Sequence, residues 1–109
     1  MKQSEINFSV TLNEKNMPAK IDWSATDGGV RSSTPAVMMS VWDQATKNTL
    51  RIDLWTTEMR VDDMKRFHHQ TLLTMADTLE RATGERDAAK AMRDFAREFG
   101  ERLGLFKRT

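Results

Sequence analysis

The chain has 109 residues with 17 basic and 16 acidic side chains, a formal net charge of +1 and no cysteine. These values predict a single domain, residues 1–109, and exclude disulfides, thiolate chemistry, acylation at a cysteine and the strong positive field of many nucleic-acid-binding proteins. No apolar run approaches the roughly 20 residues that span a bilayer, and the N-terminus lacks a secretory signal, so we expect a cytoplasmic protein without membrane insertion.

The first predicted element is a β-hairpin. Apolar and polar residues alternate over residues 5–12 and again over 19–25, where Ile21 and Trp23 face inward. Such alternation is typical of strands with one buried and one solvated face. The next segment, residues 27–35, contains a glycine pair, a serine pair and a proline, so it is predicted to be a flexible loop.

Residues 36–42 and 49–55 predict a second hairpin across the loop DQATKN. The expected register places three apolar pairs on a core face: Val37 with Leu54, Met39 with Ile52, and Val41 with Leu50. The other face carries Met38, Trp42 and Trp55 beside polar residues. Two tryptophans and a methionine make this outer face unusually apolar for a solvated sheet. A shift of one residue in the register would exchange the two faces.

Two amphipathic helices follow the strands. The first is predicted at about residues 62–83 and is stopped by Gly84. The second is predicted at about 85–103, with an apolar stripe that includes Phe95, and a short basic tail ends the chain. The order is therefore ββββαα. It predicts an α+β fold in which a four-stranded antiparallel sheet, made of two sequential hairpins (residues 5–56), carries both helices packed on one face.

Few residues in the chain are candidates for catalysis or metal binding. His68 and His69 are the only histidines, and adjacent residues on a helix point about 100° apart, so they cannot chelate one ion together. His68 lies within the predicted apolar stripe of the first helix, and no spacing matches a zinc, calcium, phosphate-binding or nucleophile motif. We predict no catalytic, cofactor-binding or metal site. An enzyme or metal protein built around the two histidines is kept as an alternative.

The second helix carries a basic stripe. Its members recur at intervals of four, three and four residues and so share one face: Arg86, Lys90, Arg93 and Arg97. Acidic residues flank them, which favours a solvated, ion-paired face over a binding site for an anionic partner. The stripe also lacks the aromatic side chains that single-stranded nucleic acids stack on, so no nucleic-acid partner is predicted.

Segments throughout the chain resemble the gliding motility-associated GldC family. They are MPAKIDWSATDGG (17–29), SVWD (40–43), NTLRIDLWT (48–56), VDDMKRF (61–67), HQTLLTMADTLERATG (69–84) and MRDFAREFG (92–100). The resemblance covers nearly the whole chain and is most specific from Val41 to Gly84. It implies a small cytoplasmic accessory protein of the bacterial gliding machinery and its linked secretion system. It implies no catalytic activity and no cofactor.

We interpret the chain as a protein-binding or assembly module with a partner in that apparatus, and we expect a homodimer. The candidate interface is formed by Met38, Trp42 and Trp55, because interface centres favour aromatic and methionine side chains. These three could instead pack under the loop 26–35 within one chain. The ββββαα order is also similar in layout to the export chaperone SecB. A chaperone module that binds extended client segments is therefore the second hypothesis.

Overall fold

The structure is a computed structural model and describes residues 2–107. Its elements are β1 (Ile6–Leu12), β2 (Pro18–Ala25), β3 (Val30–Thr34), β4 (Ala36–Asp43), β5 (Asn48–Trp55), α1 (Val61–Thr83) and α2 (Arg86–Arg102). The α+β class is confirmed, and both helices begin and end within one residue of the predicted bounds. The predicted basic tail lies, beyond Lys107, outside the described residues.

Two compact units make up the chain: the strands up to Met59, and the helices from Arg60 onward. That they form one domain, with the helices on one face of the sheet, stays a prediction.

The strands form two antiparallel sheets, so the prediction of one four-stranded sheet is wrong. One sheet has the order β1-β2-β3 and the other consists of β4 and β5. The predicted flexible loop at 27–35 instead contains a short 3-10 turn, Asp27–Gly29, followed by β3. Positive φ angles of 82° and 61° at Gly28 and Gly29 turn the chain back, as glycine allows. The segment then pairs with the free edge of β2. It forms a strand although its serines are poor strand formers, because sheet context outweighs intrinsic propensity.

Pro35 separates the two sheets. It lies between β3 and β4, which pair with different strands, β2 and β5. The Thr34 hydroxyl donates a hydrogen bond to the Ala36 carbonyl at 3.0 Å, and the Thr56 N–H donates to the Pro35 carbonyl at 2.8 Å. A proline has no N–H to give to a ladder and therefore sits at strand ends and edges. Pro35 thus ends the first ladder where the second begins.

Both predicted hairpins are confirmed. In the first, Phe8 is opposite Trp23 with ring centroids 6.4 Å apart. In the second, the three apolar pairs have the predicted register: Val37 with Leu54, Met39 with Ile52, and Val41 with Leu50. Among the described residues, Ile21 on β2 is the only large side chain that is fully buried.

Small residues line the contact between the two helices. The buried positions are Ala76 on α1 and Ala89, Ala96 and Gly100 on α2. The predicted stripes of larger side chains are only partly covered, since Phe95 is exposed. Alanine and glycine let helix backbones approach closely, so they define the packed face here although they add little to an apolar stripe.

Both helices end as their glycines predict. The Gly84 N–H donates to the Glu80 carbonyl at 2.8 Å, with φ at +75°. At the end of α2, the Gly104 N–H donates to Glu101 and the Leu105 N–H donates to Gly100, both at 3.0 Å. This pair of bonds is the Schellman motif. It turns the chain so that the Phe106 ring lies over Gly100 and edge-on to the His69 ring.

Candidate protein-interaction surface

The side of the β4–β5 hairpin that bears Met38, Trp42 and Trp55, hereafter the tryptophan face, is open to solvent. Its residues are paired across the strands as Ala36 with Trp55, Met38 with Asp53, Ser40 with Arg51 and Trp42 with Thr49. Trp42 and Trp55 are 58% and 59% exposed, and Met38 is half-buried. The Trp42 indole N–H donates to the Gln44 side chain at 2.9 Å, so its polar atom is satisfied while its ring stays in water. Exposed aromatic area of this kind marks interaction sites.

The alternative that these side chains pack under residues 26–35 is wrong. Residues 30–34 of that segment form β3 and pair with β2, with Ala25 opposite Val30 and Ile21 opposite Thr34. Val30 and Arg31, which fall within the predicted flexible loop, are therefore the first residues of a strand. The segment is held in the other sheet, and both tryptophans remain more than half exposed.

An ion pair occupies the centre of the tryptophan face. The Arg51 guanidinium donates to the Asp53 carboxylate at 2.8 and 3.3 Å, and to the Ser40 hydroxyl at 2.6 Å. The hydrogen bond to Asp53 and the charge of Asp53 hold the pKa of Arg51 above its ordinary value. Arg51 and Asp53 were not predicted to be site residues. Two opposite charges at positions i and i+2 of a strand are a visible signal, because both project to one face.

The opposite side of the hairpin, hereafter the aliphatic face, is less covered than predicted. The expected core pairs are buried only near Pro35: Val37 is buried and Leu54 is half-buried. Toward the loop, Val41, Leu50 and Ile52 are 58%, 57% and 50% exposed. The strand unit itself does not cover this half of the face, and its coverage by the helices stays a prediction. The hairpin therefore offers apolar surface on both faces.

The basic stripe of α2 is largely ion-paired. Lys90 bonds Asp94 at 2.7 Å, Arg97 lies 3.9 Å from Glu101, and Arg93 reaches across to α1. There Arg93 donates to Asp77 at 2.8 Å and to Glu80 at 2.9 Å, and these hydrogen bonds raise its pKa. Arg86 lies in the first turn of α2 and is exposed. An anionic partner for this stripe stays a prediction.

The two histidines have different surroundings from those predicted. His68 is exposed, with its Nδ1 atom 2.9 Å from the Met64 carbonyl, whereas His69 is half-buried against Phe106. The helix packs on the side of His69 because its small-residue contact, centred on Ala76, lies on that side. Within residues 2–107, no group of three or more histidine and carboxylate side chains is placed to hold a metal ion.

An open pocket of about 410 Å³ lies on the three-stranded sheet. Its lining includes Asn7, Asp22, Ser24, Arg31 and Ser33. The Ser33 hydroxyl donates to the Asp22 carboxylate at 2.6 Å. No histidine is among the lining residues of this pocket, and a nucleophilic serine requires an adjacent base. The exposed apolar hairpin is therefore the stronger candidate site.

The chain is similar to a known protein family. A family model described as gliding motility-associated protein GldC-like matches residues 18–105. No curated protein and no solved structure matches the chain. Among the described residues, neither helix has the length and apolar character that crossing a membrane requires.

Proposed function

The chain belongs to the gliding motility-associated GldC-like family, and we propose that it is a non-enzymatic, cytoplasmic accessory protein that binds or assembles components of the gliding machinery and its linked secretion system. The family supports the link to gliding motility. The resemblance noted above implies the accessory role and the cytoplasmic location. The exposed tryptophan face supports the binding role, since contiguous exposed apolar patches mark interaction sites and interface centres are enriched in tryptophan.

The tryptophan face has enough apolar area to contribute to binding. A tryptophan side chain buries about 150–250 Å², and Trp42 and Trp55 are each more than half exposed. Covering both would contribute roughly 5 kcal/mol at about 25 cal/mol per Å², before the cost of association. Met38, half-buried beside them, adds an adaptable side chain.

Replacing Trp42 and Trp55 together by serine is expected to leave the protein folded and to reduce binding of its partner at least tenfold. The reason is that most of the exposed aromatic area of the hairpin is removed while every buried side chain is kept. The measurement is crosslinking and co-purification from the native cell, with recovery of a gliding or secretion component as the readout. The control is Ile6→Ser with Leu12→Ser, which removes exposed apolar side chains from β1 instead. Equal recovery by wild type and the tryptophan variant would rule out this surface.

The second candidate function is a chaperone module for extended client segments. It is favoured by one observation: β4 and β5 each have an unpaired edge among the described residues, and both faces of their hairpin are apolar. An extended peptide adds to such an edge by main-chain hydrogen bonds. Suppression of the aggregation of a heat-unfolded client, with recovery of many unrelated clients from cells, would favour this function over the first. Failure to slow that aggregation would count against it.

A further inference from the structure

The free edge of β5 differs in charge from the other sheet edges. Within residues 2–107 four strands lie at an edge: β1, β3, β4 and β5. Proteins commonly protect such edges with charges of one sign, which repel a second copy. β5 instead carries Arg51 and Asp53, two residues apart on one face. When a second copy of this strand pairs in the antiparallel direction, charges of opposite sign at this spacing can lie opposite each other.

An antiparallel pair of β5 strands can be centred on only a few residues. If the two-fold axis passes through Ile52, Arg51 of each copy lies opposite Asp53 of the other. Each Arg51 then contacts its own Asp53, at 2.8 Å in the chain, and a second one across the new ladder. If the axis passes through Arg51 or through Asp53, two like charges lie directly opposite, which is destabilising. Of these three registers, only the one centred on Ile52 places opposite charges across from each other.

The same register also continues the aliphatic face. Ile52 meets the second copy's Ile52, and Leu50 meets the second copy's Leu54. Within each chain Val41 pairs with Leu50 and Val37 pairs with Leu54. Four apolar side chains then form an unbroken row from β4 of one copy to β4 of the other. Leu50, which is more than half exposed in the single chain, gains an apolar neighbour on its open side.

The tryptophan face is completed in the same way. Trp55 lies opposite the second copy's Thr49, and Thr49 pairs with Trp42 within each chain. Each Thr49 is thus flanked by Trp42 of its own chain and Trp55 of the other. One Trp42 and one Trp55 from different copies then lie on each side of a central square of alternating charges. The square is formed by Arg51 and Asp53 of the two copies.

We propose that β5 pairs edge to edge with β5 of a second copy of this chain, antiparallel and centred on Ile52, so that two hairpins form one four-stranded sheet. The proposal rests on the proposed function, because it names a second copy as one partner of the assembly surface. Pairing also gives each hairpin the additional strands that an isolated two-stranded sheet needs for stability.

Charge reversal tests the pairing. Arg51→Asp places two acidic pairs across the axis and Asp53→Arg places two basic pairs, so each variant alone is expected to dimerise at least tenfold more weakly than wild type. An equimolar mixture of the two restores both opposite-charge pairs and is expected to form mixed dimers with wild-type affinity. Sedimentation over a concentration series measures the affinity, and native mass spectrometry identifies the mixed dimer. Lys20→Asp, on the central strand β2, is the control and should not change the mass.

A wild-type chain that stays monomeric would overturn the pairing, as would single variants that dimerise like wild type, or a mixture that stays dissociated. These outcomes are separate from the proposed function. If charge reversal has no effect while the tryptophan variant loses its gliding partner, the pairing falls and the function stands. If the mixture dimerises but no gliding component is ever recovered, the pairing stands and the function falls.

Single cysteines test the register, because the chain contains none of its own. At position 52 two opposing Cα atoms would lie about 4.5–5.5 Å apart, within the range of about 4.4–6.8 Å that disulfides span. Ile52→Cys is therefore expected to give a covalent dimer under mild oxidation. Leu50→Cys, similarly exposed, should not, because its own copy lies about 14 Å away along the strands. A mixture of Leu50→Cys and Leu54→Cys should crosslink, and faster crosslinking of Leu50→Cys alone than of Ile52→Cys would exclude this register.

Discussion

Replacing Ile21 by alanine is expected to lower the free energy of unfolding of the strand unit by about 3 kcal/mol. Ile21 is 1% exposed and is the only large side chain that the described residues bury completely. It lies on β2, the central strand of its sheet, opposite Val10 on one side and Thr34 on the other. Removing its three outer carbons leaves a cavity where both ladders meet, and neither neighbouring strand can close it without breaking register.

The measurement is denaturant unfolding followed by tryptophan fluorescence. All three tryptophans lie in the strand unit, at positions 23, 42 and 55, and the fluorescence therefore reports on that unit. Ile6→Ala is the matched control, because Ile6 is 68% exposed in the same sheet and its loss is expected to cost less than about 0.5 kcal/mol. If Ile21→Ala lowers the free energy of unfolding no more than Ile6→Ala does, the stability of this sheet does not depend on Ile21.

The first hairpin and β5 could be predicted because apolar and polar residues alternate along them, and alternation directly encodes which face each side chain takes. The register of the second hairpin followed from matching apolar positions across a loop of known length. β3 could not be predicted in this way. Its residues, VRSST, lack a clear period, and they form a strand because the preceding glycine turn delivers them to the open edge of β2. Local sequence does not show which edges remain open.

The same reason explains what was predicted and what was missed at the candidate surface. Trp42 and Trp55 could be identified because the type of a residue and its place in the alternation of a strand can both be read from the local sequence. The exposure of Val41 and Leu50 could not be predicted, since it depends on what packs against this face of the hairpin and not on the sequence of the hairpin. Arg51 and Asp53 become informative only once β5 is known to have a free edge.

For the helices, periodicity found the elements but not the packed side. The predicted apolar stripes include large residues such as Phe95, whereas the buried positions are alanines and Gly100. Small residues add little to an apolar moment, yet they allow the closest approach of two helices. His68 was placed inward for the same reason, and it is His69 that contacts Phe106.

Replacing Gly100 by valine is expected to lower the free energy of unfolding of the helix unit by about 2 kcal/mol. A Cβ atom at this position would lie 2.5 Å from Cε1 of Phe106 and 3.0 Å from Cδ2 of His69. Both rings must move to admit the larger side chain. The Phe106 ring lies at this position because the chain turns back after Gly104. Helix propensity predicts the opposite sign, because glycine is the poorer helix former by a few tenths of a kcal/mol or more. A loss therefore reports the contact itself.

The measurement for Gly100→Val is unfolding followed by circular dichroism at the helix band, which reports on α1 and α2. Ala91→Val introduces the same side chain at an exposed position of α2 and controls for the poor helix propensity of valine. In a Phe106→Ala background the loss at position 100 should shrink by at least half, since the closest ring is gone and the two positions are coupled. If the loss of stability is unchanged in the Phe106→Ala background, the Phe106 ring is not the reason that position 100 requires glycine. The close approach of the His69 ring would then have to account for the whole effect.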